Sequence, residues 1–341
     1  MTSFTTTGTE NLMRWDRRSS GFMEVWYVTL NHRDTGCGLW FRYTITSPRA
    51  RDREPYCELW AFLFDPDEKR TFGTKVRYPI ERLGTPLGRD DGALVRIGDA
   101  WLSETHLEGE IERDGRSLMW SLDLDPSERC FQHLPPRLRR RAEKRASMLC
   151  SPNLDVPFRG SVTIDDELLR VEGERGCQSH RWGRRNALSW AWAHCSNFEG
   201  GEEAVFEAIA ARSMFGPFPT PTLTFLYLRF EEQDIEFNDL KWVMRAQSRY
   251  EMPTWAFTAH NDEYKIAGAA RSPVDRLVQV EYQDPDGSAR YCANTEIADL
   301  GLELYRRAGA TWRHVGSLTS LRSAHLEFGR KDPFVELPLL V

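Results

Sequence analysis

The sequence has no excess of positive charge: 45 Lys and Arg stand against 51 Asp and Glu, a formal net charge of −6. Affinity for nucleic acid rests on neutralising phosphates, so this balance predicts no nucleic-acid partner. Long hydrophobic runs are also missing. The longest charge-free stretch, Ser213 to Leu228, covers 16 residues and is interrupted by Pro217, Pro219 and Pro221. It is too short and too broken for a membrane-spanning helix, which predicts no integral membrane segment. The start of the chain, Met1-Thr-Ser-Phe-Thr-Thr-Thr-Gly8, lacks the basic and apolar regions of a secretory signal. Seven cysteines (Cys37, Cys57, Cys130, Cys150, Cys177, Cys195 and Cys292) form no CxxC pair and no Cys/His set at zinc-ligand spacing. Reduced thiols, a cytoplasmic location and no structural metal are therefore expected. Dinucleotide, Walker, Gly-x-Ser-x-Gly and zinc signatures are absent as well, so no cofactor is expected. There is no short-period repeat of the solenoid or propeller kind.

What the chain does have is rings: 12 Trp, 18 Phe and 10 Tyr make 12% of it, while hydrophobic residues overall are an ordinary 40%. Its 341 residues exceed the ~250–300 at which a single hydrophobic core stops growing, which predicts two domains. Strand signals dominate. Leu39, Phe41, Tyr43 and Ile45 alternate with Trp40, Arg42 and Thr44, the period of a half-buried strand. The alternation returns in Leu223–Phe230, Ser117–Leu124 and Arg276–Tyr282, separated by turn sequences such as Asp114-Gly115 and Asp284-Pro-Asp-Gly287. Phe158 to Gly173 reads as a hairpin turning at Asp165-Asp166. The exception is Leu134 to Leu149, where two prolines open a run of helix formers carrying the basic segment 137–145. It predicts a solvated connector helix, with an anionic contact surface as the alternative. Each half opens with an aromatic-rich strand, a loose two-fold echo that fits two tandem β-barrels.

The densest constellation runs from Gly176 to Phe198. If residues 189–195 form a strand, Trp190, Trp192 and His194 share one face, and Ala191, Ala193 and Cys195 the other. His180 and Trp182 also stand two apart and would face one cavity. The following strand, Ala204–Arg212, carries Glu207 between Val205 and Ile209. An acid there is either exposed or held in a pocket with a raised pKa.

These residues resemble a known family. Gly176…Ser179-His180-Arg181-Trp182-Gly183…Trp190-Ala-Trp192…Phe198 is similar to the His-x-Trp-Gly signature of carotenoid 1,2-hydratase (hydroxyneurosporene synthase) and tocopherol-cyclase-like proteins. Phe22-Met-Glu24-Val-Trp26-Tyr27 resembles their opening Glu-x-Trp-Tyr strand, and Arg322-Ser-Ala-His325-Leu-Glu327-Phe-Gly-Arg330 their ending. The resemblance implies two lipocalin-like antiparallel barrels, divided as residues 1–182 and 183–341. It extends over members that act as hydratases, cyclases or catalysts of pericyclic reactions. The hydratases' His and Trp carry over to His180 and Trp182. Their later Tyr-x-Asp pair has its nearest counterpart in Phe206-Glu207, which lacks the hydroxyl, and the Asp that often precedes the family His is Ser179 here.

Hydrating or cyclising an alkene requires a proton donor strong enough for a C=C bond and a lining that tolerates a carbocation. A carboxylic acid kept neutral by desolvation supplies the first, and aromatic faces supply the second at roughly 0.5–2 kcal/mol each. The expected arrangement makes Glu207, or alternatively Glu24, the acid, with His180 or His194 positioning it. Trp182, Trp190, Trp192, Trp26 and Phe206 would line the cavity, and Arg184 or Arg185 would meet a carboxylate or phosphate on the substrate. The expected ligand is a hydrophobic isoprenoid or polyene. The competing expectation is a lipocalin-like carrier that binds such a molecule unchanged. Both require a cavity of ~300–1,000 Å³. His325 and Glu327 read as structural.

Overall fold

The computed structural model describes residues 3–6, 8–50, 52–67, 71–84, 92–135, 139, 147–215 and 218–341. The chain is almost wholly antiparallel β, in two halves with one large sheet each. The central path of the first sheet runs Phe72–Pro79, Tyr56–Phe64, Gly38–Ser47, Phe22–Asn31, Glu167–Gly183, Ser147–Ile164, Arg116–Leu124, His106–Arg113, Ala100–Ser103 and Ala93–Ile97. That of the second runs Gln233–Glu236, Leu223–Phe230, Val205–Arg212, Ser189–Cys195, Thr311–Arg330, Ala289–Ala308, Tyr264–Arg271, Thr254–His260 and Gln247–Glu251.

The two halves repeat one connectivity. In each, an aromatic-rich strand pairs with the last strand of its own half: Phe22–Asn31 with Glu167–Gly183, and Ser189–Cys195 with Thr311–Arg330. That last strand is the return arm of a long hairpin. The first hairpin turns at Asp165-Asp166, as its sequence predicts, with Asp165 at φ 54° and its carboxylate accepting from Ser117 N at 2.9 Å. The second turns at Gly309, at φ 62°, where a side chain would be strained.

Each sheet curls over its own core, the first around Trp26, Phe41, Tyr43 and Trp120 and the second around Phe206, Trp255 and Phe257. The two antiparallel sheets, one per half, agree with the expected tandem arrangement, and no closure of either into a barrel is seen among the described residues. Among the described residues, the first sheet's edges meet only at the isolated bridge Leu83–Ile97, so no continuous ladder seals it. The connector helix expected over Leu134–Leu149 is corrected at its end, because Ser147–Leu149 already belong to a strand. Residues 136–138 and 140–146, which carry nearly all the basic segment 137–145, lie outside the described residues. A short α-helix, Leu240–Val243, is capped by Asp239. No helix among the described residues is long and apolar enough to cross a membrane.

The strand Gly38–Ser47 corrects a further expectation. It is buried on both faces rather than one. Leu39, Phe41, Tyr43 and Ile45 fill the first core, while Trp40 packs into a third apolar cluster built from both halves. That junction cluster joins Met23, Val25, Tyr27, Trp60 and Phe62 to Trp190, Trp192, Tyr282, Cys292 and Ile297. The two sheets thus press their outer faces together, and the excess of large rings fills the seam.

Candidate functional site

The predicted site residues separate into two clusters. His180 and Glu24 belong to the first half, where His180 Nε2 lies 2.9 Å from Glu24 Oε1 and both side chains are fully buried. Glu24 also accepts from Arg14 N (2.7 Å) and Trp15 N (2.8 Å), and His180 Nδ1 meets Glu10 O at 2.7 Å. Trp26 stacks on His180 with ring centroids 4.6 Å apart and donates to Asn11 O, and Trp182 packs on the other side at 4.7 Å. Apart from the His180–Glu24 pair itself, which links two neighbouring strands, the polar contacts here fasten residues 10–15 to the sheet. His180, Glu24, Trp26 and Trp182 therefore do not share a pocket with Trp190, and the expectation that His180 and Trp182 face a common cavity with it is corrected.

The second cluster sits in the seam. Alternation on Ser189–Cys195 places Trp190, Trp192 and His194 there, with Ala191, Ala193 and Cys195 in the second core. Glu207 stands opposite His194 on the neighbouring strand. Its Oε1 accepts from His133 Nε2 at 2.6 Å and Trp192 Nε1 at 2.7 Å, and its Oε2 from His194 Nδ1 at 3.0 Å. Burial opposes its charge, but the two histidine hydrogen bonds outweigh that and hold the carboxyl down at about 2. The direction is opposite to the raised pKa expected of a buried acid at this position.

Sequence reasoning missed the acid with the opposite displacement. Glu296, on Ala289–Ala308, meets His325 Nδ1 through Oε1 at 2.7 Å. Burial raises its pKa, with the facing imidazole pulling the other way. His325, read from the sequence as structural, lies with its ring 4.1 Å from that of Trp192. Glu327, read likewise, accepts from Trp190 Nε1 at 2.6 Å and Cys292 Sγ at 3.3 Å. Tyr27 enters from the first half, edge-on to Trp192 at 4.9 Å, its hydroxyl raised well above 10 by burial and by Glu327 and Glu207.

Several buried polar atoms in this seam have no hydrogen-bond partner among the described residues: His194 Nε2, His325 Nε2, His133 Nδ1, Glu296 Oε2 and both amide atoms of Asn294. Such atoms are costly, and each calls for a physical account, a catalytic role or a bound group among them. Two expected lining residues fall elsewhere. Phe206 points into the second core, stacked on Phe257 at 5.3 Å, because it occupies the face opposite Glu207. Arg184, with Arg185, is exposed in the segment linking the sheets. A groove of about 710 Å³ beside Pro273, Val274 and Leu337 and another of about 370 Å³ beside Thr46, Tyr56 and Gln283 lie outside the His/Glu/Trp cluster.

Two uncharacterized proteins of Mycobacterium tuberculosis are similar over most of their length. MT0513 (strain CDC 1551 / Oshkosh) and Rv0493c (strain ATCC 25618 / H37Rv) are each 27% identical over 310 residues, 90% of this chain and 87% of theirs. Among solved structures, the Nitrosomonas europaea AttH candidate NE1406 shares the fold at TM-score 0.53 and 13% identity, covering 91% of this chain and 92% of that one. CghA shares it with and without Sch210972, at TM-score 0.53, 9% and 10% identity, and coverage of 96% of this chain and 98% of that one. A family model described as tocopherol cyclase-like matches residues 159–330, half of the chain, including His180, Trp182, Glu207, Glu296 and His325, and the chain belongs to the tocopherol cyclase-like family.

Proposed function

We propose that the chain is a cyclase or isomerase that moves protons on a hydrophobic isoprenoid or polyene in the seam between its two halves, read as domains 1–182 and 183–341. The observation that carries this reading is one buried, ring-lined seam in which a donor pair and an acceptor pair leave atoms unpaired among the described residues: Glu296 Oε2 with His325 Nε2, and His194 Nε2 beside Glu207. Neighbouring carboxyls pushed in opposite directions are the usual sign of an acid and a base with separate tasks.

In this reading the Glu296–His325 pair gives a proton to one carbon of a C=C bond. The π pair forms the new C–H bond and leaves a cation on the adjacent carbon, against the faces of Trp192 and Tyr27. Ring closure or direct proton loss follows, with the departing proton accepted by His194 backed by Glu207. The net reaction consumes no co-reactant. His194 and His325 are cross-strand neighbours, so the proton's return path is short. Because the cluster is buried, the seam must open to admit substrate, as lids and domain contacts do in many enzymes. Membership in a cyclase-like family supports the reaction class, and seven unbridged thiols fit a cytoplasmic setting.

The test is turnover of prenylated and polyene substrates in heavy water. Deuterium should appear in the product, and Glu296→Gln should cut its incorporation by about 100-fold or more. Product formed without deuterium, or equal turnover by the variant, sinks the proposal.

A further inference from the structure

Arg42 is a buried cation that has no counter-ion among the described residues. It is 6% exposed, on the seam face of Gly38–Ser47, and its guanidinium lies between the rings of Tyr282 (4.1 Å) and Trp60 (5.0 Å). Its Nε donates to Thr44 Oγ1 at 3.0 Å, and among the described residues no carboxylate pairs with it and nothing accepts from Nη1 or Nη2. The surroundings add positive charge. Lys75 Nζ sits 4.4 Å over Trp60, and Arg181 donates to Arg185 O, Ser147 Oγ and Met23 Sδ rather than to an acid. Of the nearby carboxylates, Glu58 is engaged by Arg77 at 2.9 Å and Glu327 by Trp190 and Cys292, while Asp284 accepts from Asn186 through Oδ1 and holds Oδ2 3.7 Å from Arg290 with no hydrogen bond among the described residues. Ring faces offset only part of the cost of burying a charge, and the rest calls for an anion.

We propose that Arg42 anchors the anionic group of the substrate, a carboxylate or phosphate, and that the substrate is therefore an amphiphile with an apolar body. This rests on the proton-transfer reading of the seam. The planar guanidinium presents two free Nη groups, the fork that matches either oxyanion. Further along the same strand face, Thr46 lines the 370 Å³ groove between the halves together with Tyr56, Arg77 and Gln283, which gives the head group a way in. In the other direction Arg42 pairs in register with Tyr27, whose ring meets Trp192, whose ring meets His325. A molecule held by its head at Arg42 lays its body along these rings towards the acid.

Intrinsic tryptophan fluorescence of the whole protein, titrated with dodecanoate, dodecyl phosphate, dodecanol and inorganic phosphate, tests this. The wild type should bind the two long-chain anions about 10- to 100-fold more tightly than dodecanol, and inorganic phosphate more weakly than dodecyl phosphate. Arg42→Gln should erase the preference for the anions while leaving dodecanol binding unchanged, and Arg42→Lys should keep part of it. Equal wild-type affinity for dodecanol and dodecanoate, no binding of any long-chain probe, or phosphate alone binding as tightly as its dodecyl ester overturns the anchor, without reference to a variant's folding. Those outcomes leave the deuterium test of the proton transfer untouched, and failure of that test leaves the anion preference to be read on its own.

Discussion

Glu296 and His325 face each other across the two longest strands of the second half, Oε1 to Nδ1 at 2.7 Å, and each keeps one buried atom without a hydrogen bond among the described residues. Both are displaced towards holding a proton. Burial raises Glu296 above 4.5. Burial alone would lower His325, but the charge and hydrogen bond of Glu296, with Glu327 and Glu207 behind it, lift it above 6.5. The protonated pair is thus present at low pH and lost as pH rises through the raised values. Activity should fall on the alkaline side of 6.5, and Glu296→Gln should move any residual limb to lower pH. A pH–rate profile of both proteins measures this; coincident limbs would contradict it.

Glu207 has the opposite sign. Its carboxyl is lowered from 4.5 to about 2, so the stability it contributes is present above 4.5 and lost as pH falls towards 2. The linkage amounts to about 3 kcal/mol. Urea unfolding of the wild type and Glu207→Gln should show a gap of this order at neutral pH that closes as pH approaches 2. Parallel stability profiles across that range would mean the histidine hydrogen bonds do not favour the ionised form.

Glu24 is predicted to act on the fold rather than on the substrate. Removing its carboxylate in Glu24→Ala strands His180 and the amides of Arg14 and Trp15, at a cost of about 3–5 kcal/mol. Hydrogen exchange should accelerate first at Arg14 and Trp15. Unchanged protection there, with lost turnover, would instead place Glu24 in the chemistry.

The β architecture, the long hairpin at Asp165 and the alternation of Trp190, Trp192 and His194 were legible because period-two patterning and turn chemistry are local. Which histidine meets which acid was not. His180 and Glu207 are close in sequence terms, yet sheet pairing sends His180 to Glu24 and Glu207 to His133 and His194. Tyr27 is one residue from Trp26, and that single step moves it from the first core to the seam. Asn294 and Glu296 did carry a signal, two polar residues two apart between Ala293 and Ile297. Only the partner sheet shows that their face is buried. The seam depends on two surfaces packing together, and neither strand's own sequence encodes the other.

That packing hinges on a glycine. Gly38 lies where the first half approaches Glu296, and a Cβ there would stand 2.2 Å from Glu296 Cβ, far inside contact distance. Asn31, its cross-strand partner, donates to Glu296 O at 2.7 Å, so the strand cannot retreat without giving up that bond. Gly38→Ala should therefore cost about 1–3 kcal/mol, as overpacking does, and displace Glu296 from His325. Thermal melting reads the first effect and deuterium incorporation the second. A fall in incorporation larger than any loss of folded protein would tie the spacing of the halves to proton delivery, whereas a variant that melts early but turns over normally would show that the seam tolerates the shift and that the acid lies elsewhere.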